Sequence, residues 1–125
     1  MKEKIVESLQ TRLQVEVVAQ NPLKVLKQIK LEDIIDTAIP VIYLYTRGKS
    51  SEDSPVYMTE LVCAIGHAIM SKEFLPKNSG LAAKIGAFIL YSFEELNLLK
   101  VKIGAGKRRH QAYVVDVIDD KAILA

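Results

Sequence analysis

Between Gly80 and Asp116 the hydrophobic period of the chain changes once, and that change limits what the rest can fold into. Leu81, Ile85, Phe88, Ile89, Leu96 and Leu99 recur at three- and four-residue steps, so the spacing predicts a long helix from Gly80 to Leu99. Val101, Ile103, Tyr113, Val115 and Val117 then alternate with other residues, which is strand spacing. The run Gly104-Ala-Gly-Lys-Arg-Arg-His110 separates the two halves of the strand pattern. Its glycines permit a tight reversal. Three cations and a histidine crowd the tip or the returning strand. A helix followed by a basic-tipped hairpin has the shape of a winged nucleic-acid-binding unit.

Charge supports that reading through its placement. The formal net charge is only +2, yet Leu96 to Val115 holds Lys100, Lys102, Lys107, Arg108 and Arg109 and no acid. Acids gather elsewhere, at Glu52, Asp53, Asp116, Asp119 and Asp120. A local basic patch on a nearly neutral chain suits a bounded phosphate contact. Arg108 and Arg109, with Lys107 and His110 beside them and Lys102 on the preceding strand, are the candidate nucleic-acid-binding residues. The competing reading is a soluble hairpin edge protected by charge.

The length of 125 residues predicts a single domain, 1–125, and half of the residues are hydrophobic, enough for a true core. No long apolar run suggests a membrane span, and the N-terminus lacks the apolar stretch of a signal peptide. The single cysteine, Cys63, excludes an internal disulfide. These features predict a cytoplasmic protein.

Read in order, residues 2–20 form an amphipathic helix pattern on Ile5, Leu9, Leu13 and Val17. Asn21-Pro22 breaks it. Leu23, Leu26 and Ile29 predict a short helix, with Lys24, Lys27 and Lys30 on another side as a solvated or phosphate-facing surface. Leu31 to Tyr45 predicts a central buried helix. Pro40 would kink it or mark its start, and a strand over Val41 to Tyr45 competes. Thr46 to Pro55 is a polar loop. Leu61, Val62, Ile65, Ala68 and Ile69 predict a further helix capped by Thr59. Gly66 and Gly86 each cost about 1 kcal/mol inside a helix, which points to close packing there. Asn78 or Ser79 would cap the long helix. Asp119 and Asp120 would cap a last, single-turn helix.

The fold expected is therefore mainly α. About five helices pack around a central apolar helix, with one C-terminal β-hairpin and a winged-helix-like end. The predicted core draws on Leu9, Leu13, Ile35, Ile39, Ile42, Leu61, Ile65, Ile69, Ile85, Ile89 and Leu96.

Catalytic chemistry is poorly represented. Cys63 and His67 stand four apart on one helix, and a buried structural pair is the simpler reading, since nothing nearby supplies an orienting third group. His67 and His110 are too few for a metal site, and Asp116, Asp119 and Asp120 read as a helix cap and solvated edge. Gly104-Ala-Gly-Lys107 lacks the spacing of a phosphate-binding P-loop.

Four blocks taken together resemble the N-terminal domain of single-subunit, phage-type DNA-directed RNA polymerases. They are Leu26 to Ile42 (LKQIKLEDIIDTAIPVI), Ala64 to Ile69 (AIGHAI) with Lys72 and Glu73, Ile85 to Leu90 (IGAFIL) running on to Leu99, and His110 to Val115 (HQAYVV) with Ala122 and Ile123. They follow the family's order over roughly residues 20–125. The family's long helical insertion is replaced by the short turn from Phe74 to Ser79, so nothing attached to that insertion carries over. The family's catalytic aspartates, lysine and tyrosine lie downstream of this segment and have no counterpart here. The resemblance implies a non-catalytic fragment or small subunit that contacts template or promoter DNA and docks on a catalytic polymerase polypeptide. Mg would be expected only in that catalytic remainder, and the setting would be host cytoplasm if the chain is phage-encoded. The family's upstream AT-rich recognition loop falls at about Asn21 to Lys27, which adds Lys24 and Lys27 as candidate DNA contacts. A free-standing winged-helix transcriptional regulator and a purely structural adaptor are the alternatives.

Overall fold

The computed structural model describes residues 2–18, 26, 29–46, 55–105 and 108–115, with side chains described for 2–14, 26, 29–46, 55–103 and 112–114. The element order is α1 (Lys2–Val18), α2 (Leu31–Thr46), β1 (Val56–Tyr57), α3 (Met58–Lys72), α4 (Ser79–Glu95), β2 (Lys100–Ala105) and β3 (Arg108–Val115). The chain is mainly helical with a small antiparallel sheet in the order β1-β3-β2.

The helices α3 and α4 meet through two glycines. A Cβ added to Gly66 would lie 1.8 Å from the carbonyl oxygen of Ala82, and one added to Gly86 would lie 1.8 Å from that of Val62. Each helix thus rests its backbone on the other's missing side chain. Around that seam Leu61, Ile65, Ile69, Ile85, Ile89, Leu90 and Phe93 are fully or almost fully buried. Ile5 and Leu9 of α1 add to the same core, as do Ile34, Ile35, Ala38 and Ile39 of α2.

The helix over residues 31–46 is less central than the pattern suggests. Its inner face is buried, but Tyr43, Leu44 and Tyr45 are 41%, 61% and 49% exposed. Pro40 sits within the helix on its exposed side, so it neither starts the helix nor admits a strand over Val41 to Tyr45. The missing N–H at Pro40 falls where solvent reaches the backbone.

The long helix stops four residues early, at Glu95. Asn97 adopts φ 60°. The Leu98 N–H donates to Phe93 O at 2.9 Å and the Asn97 N–H to Glu94 O at 3.0 Å. This is a Schellman closure with asparagine in the left-handed position. The apolar run therefore continues past the helix while the backbone turns. Leu98 and Leu99 remain buried, whereas Leu96, expected in the core, becomes the half-buried C-cap. At the other end Asn78 is the N-cap, its Oδ1 accepting from Leu81 N–H at 3.0 Å. The α3 helix begins before Thr59, with Tyr57 at its N-cap and no side-chain cap bond. Tyr57 is already the end of β1, so the strand delivers the chain into the helix directly.

The strand β1 is absent from the hydrophobic pattern, because two residues hold no period. The helix expected over 23–30 falls largely outside the described residues, as do most of the loop before Pro55 and the terminal turn after Val115. No helix among the described residues is long and apolar enough to cross a membrane.

Candidate nucleic-acid interface

The turn at Asn97 joins the end of α4 to β2. Val101 and Val114 pair across β2 and β3 and pack on the core. Val56 of β1 pairs with Val114 from the other side. One face of the sheet is thus anchored. The opposite face carries Tyr57, Tyr113 and Lys102 in one cross-strand row, with Lys100 next to it. Directly opposed residues share a face, and positions two apart on a strand do too. Tyr113 is buried against Tyr57, while Lys100 and Lys102 are exposed. β3 is therefore buried on both sides at Tyr113 and Val114, a departure from simple alternation on Tyr113, Val115 and Val117.

Ala105 pairs with Arg108, which brings the basic run to the closing pair of the hairpin. Between Ile103–Ala112 and Ala105–Arg108 the register slips. Gly104 alone on β2 stands against Arg109, His110 and Gln111 on β3. Such a bulge bends the strand and redirects the residues it carries. The structure thus places Arg108, Arg109 and His110 together on β3 by backbone, with Lys102 on the neighbouring strand. The side chains of Arg108, Arg109 and His110, and all of Lys107, Lys24 and Lys27, lie outside the described residues.

The helix before the hairpin offers little polar surface. The exposed positions of α4 are Ser79, Gly80, Lys84, Tyr91 and Glu95. Ser92 is buried and donates to Phe88 O at 3.4 Å. Helix α1 lies against the same helix. Arg12 donates through Nε and Nη2 to Glu95 Oε2 at 3.2 and 2.9 Å, and Ser8 Oγ donates to it at 3.1 Å. Arg12 Nη2 also reaches Tyr91 O at 3.4 Å. The Arg12 and Ser8 hydrogen bonds, and then the Arg12 charge, hold the Glu95 carboxyl below its ordinary pKa. Lys4, Glu7, Thr11 and Leu96 complete an open groove of ≈ 450 Å³ around this cluster. Sequence reading missed it because the partners are more than 80 residues apart and carry no shared motif.

Cys63 and His67 are half-buried, so the expected buried pair is corrected. They line an open groove of ≈ 650 Å³ between α2 and α3, together with Val41, Leu44, Tyr45, Glu60 and Ala64. Among the described residues no three His, Cys, Asp or Glu side chains stand together as a metal-binding group.

Comparison with known proteins finds no matching family model, no matching curated protein and no matching solved structure.

Proposed function

We propose that the chain is the nucleic-acid-contacting, non-catalytic N-terminal portion, or a small subunit, of a phage-type DNA-directed RNA polymerase. The observation that carries this reading joins two of the resembling blocks. The glycine of Ala64–Ile69 and the glycine of Ile85–Leu90 are the two points at which α3 and α4 touch backbone to backbone. The two phrases that resemble the family are thus halves of one packing device. The element order α2-β1-α3-α4-β2-β3 with sheet order β1-β3-β2 is compatible with a winged-helix unit, in which the basic hairpin would be the wing, and this supports the reading.

The same order suits a free-standing winged-helix regulator. Such a protein needs its third helix open to the major groove. Here α4 is mostly enclosed, α1 covers one side, and Lys84 is its one exposed cation. That weighs toward contact through the hairpin and toward a module of a larger assembly. A catalytic polypeptide would supply the carboxylates and Mg for nucleotidyl transfer.

The test is fluorescence anisotropy on labelled duplex and template-strand DNA over a salt series. Replacing Lys102, Lys107, Arg108 and Arg109 together by Gln should weaken binding at least tenfold and lower the slope of log K on log salt by about 3. The unaltered chain should co-purify with a co-expressed polypeptide bearing phage-type catalytic motifs. Unchanged affinity and slope would overturn the hairpin contact. Tight binding to a palindromic site by the chain alone would replace this reading with the regulator.

A further inference from the structure

Among the described residues Phe74 is the most exposed large hydrophobic side chain, at 95%, and it also has a positive φ. At φ 55° it closes α3 in a position that glycine holds without strain. The backbone around it is held. Its N–H donates to Ser71 O at 3.2 Å and the Leu75 N–H to Met70 O at 2.9 Å. Leu75 then packs against the core, and Asn78 caps α4. Lys72 and Lys77 flank the ring in the chain, and Lys84 follows on the second turn of α4. All three are exposed and form no ion pair among the described residues. Glu73 is the one acid from Ser71 to Lys84. Helix α3 starts at β1 and is 15 residues long, so this turn lies about 20 Å along the helix from the sheet.

We propose that the α3–α4 turn is a stacking platform for one unpaired nucleobase, with Lys72, Lys77 and Lys84 on the neighbouring phosphates. A phenyl ring offers a base a flat apolar face, and ammonium groups take phosphate as point charges. An unpaired strand alternates those two chemistries. A base inside a duplex is already stacked on both faces, so the strand must be single here. The size of the apolar surface decides against other occupants. Leu75 is half-buried and the exposed neighbours are serine, lysine, proline and asparagine, so the turn presents one ring. A stable protein interface takes roughly 800 Å² from each partner, and lasting attachment to a membrane takes more than one apolar insertion. Backbone strain held at an exposed position points to what the side chain touches. The inference rests on the reading that this chain contacts nucleic acid, and it adds a base at the far end of α3 to the phosphates at the hairpin.

The chain has no tryptophan, so F74W places a single indole reporter at the turn. Titration with a short oligodeoxythymidylate should quench its fluorescence as thymine stacks. An abasic oligomer of the same length and charge should leave it unchanged. In anisotropy, F74G should weaken single-strand binding about tenfold and leave duplex binding through the hairpin as it was. Glycine suits the left-handed position, so unfolding does not account for that loss, and thermal unfolding of the same samples checks it. Replacing Lys72, Lys77 and Lys84 together by Gln should lower the single-strand slope of log K on log salt by about 2. The fourfold hairpin variant should lose duplex affinity yet keep the quenching at saturating oligomer, so the two contacts fail separately. No quenching, equal quenching by the abasic oligomer, or unchanged single-strand affinity in F74G would each overturn the proposal. A blue shift on phosphatidylserine vesicles without quenching by the oligomer would also overturn it and assign the ring to a membrane surface.

Discussion

The substitution of Gly66 by alanine tests how α3 and α4 are held. An added Cβ would stand 1.8 Å from the Ala82 carbonyl oxygen, where ordinary contact begins near 3.4 Å. The obstacle is helix backbone, so no side chain can swing aside. The helices must part by about 1.6 Å at the crossing. A gap of about 0.5–1 Å already forfeits a quarter to a half of a dispersion contact, and one buried side chain makes about 40–60 contacts of about 0.1–0.2 kcal/mol each. Losing a third of one side chain's contacts is then worth about 1.5–4 kcal/mol, and several side chains line this seam. Better helix propensity returns about 1 kcal/mol. We expect G66A to lose about 3 kcal/mol net in urea unfolding and roughly 10–15 °C in Tm. G86A should behave alike, because Val62 O stands at the same distance from it. The double variant should cost less than the sum, since one parting of the helices accommodates both methyl groups. A loss below about 0.5 kcal/mol, or a gain matching the propensity term, would show that the seam is loose and that this reasoning is wrong.

Two further outcomes follow from the helix ends. Phe74 holds φ 55° after α3 and is 95% exposed, so F74G should stabilise the fold by about 1 kcal/mol in the same assay, and a loss would show that the ring is packed. The Glu95 carboxyl titrates lower in the folded chain than in the unfolded one. Its contribution is therefore present above about pH 4.5 and is lost as pH falls through the folded value. E95Q should flatten that part of the stability profile below about pH 4.5, and an unchanged profile would remove Arg12 and Ser8 as its cause.

Much of the helical body was legible because burial and period coincide. Leu61, Ile65 and Ile69, and Ile85 and Ile89, repeat at helical steps and are all enclosed. The cap at Asn78 was legible because its side chain acts three residues away. The glycines announced themselves by being costly where they stand. What escaped has no period. β1 is two residues long and is defined by its partners Val114 and Tyr113. The end of α4 depends on Asn97 turning left-handed inside an apolar run that reads as helix throughout. The left-handed Phe74 closes α3 with Leu75 N–H on Met70 O at 2.9 Å, and nothing in a bulky aromatic forecasts that conformation. The bond from Arg12 to Glu95 is invisible in the chain, because it depends on where α1 comes to rest.

The enclosure of α4 bears hardest on function. A helix that fills the core with Ile85, Phe88, Ile89 and Phe93, and that also receives α1, has few directions left in which to read a groove. Among the described residues of the hairpin, Lys100, Lys102 and Ile103 are exposed. Its root is fixed by Val101 and Val114, and its far end begins at the Ala105–Arg108 pair. Under the proposal made here, recognition would pass from the helix to the wing, and phosphate would matter more than base edges. Phosphate contacts set register and orientation and carry little sequence information by themselves. That is the kind of contact a module needs when another polypeptide reads the sequence and performs the chemistry.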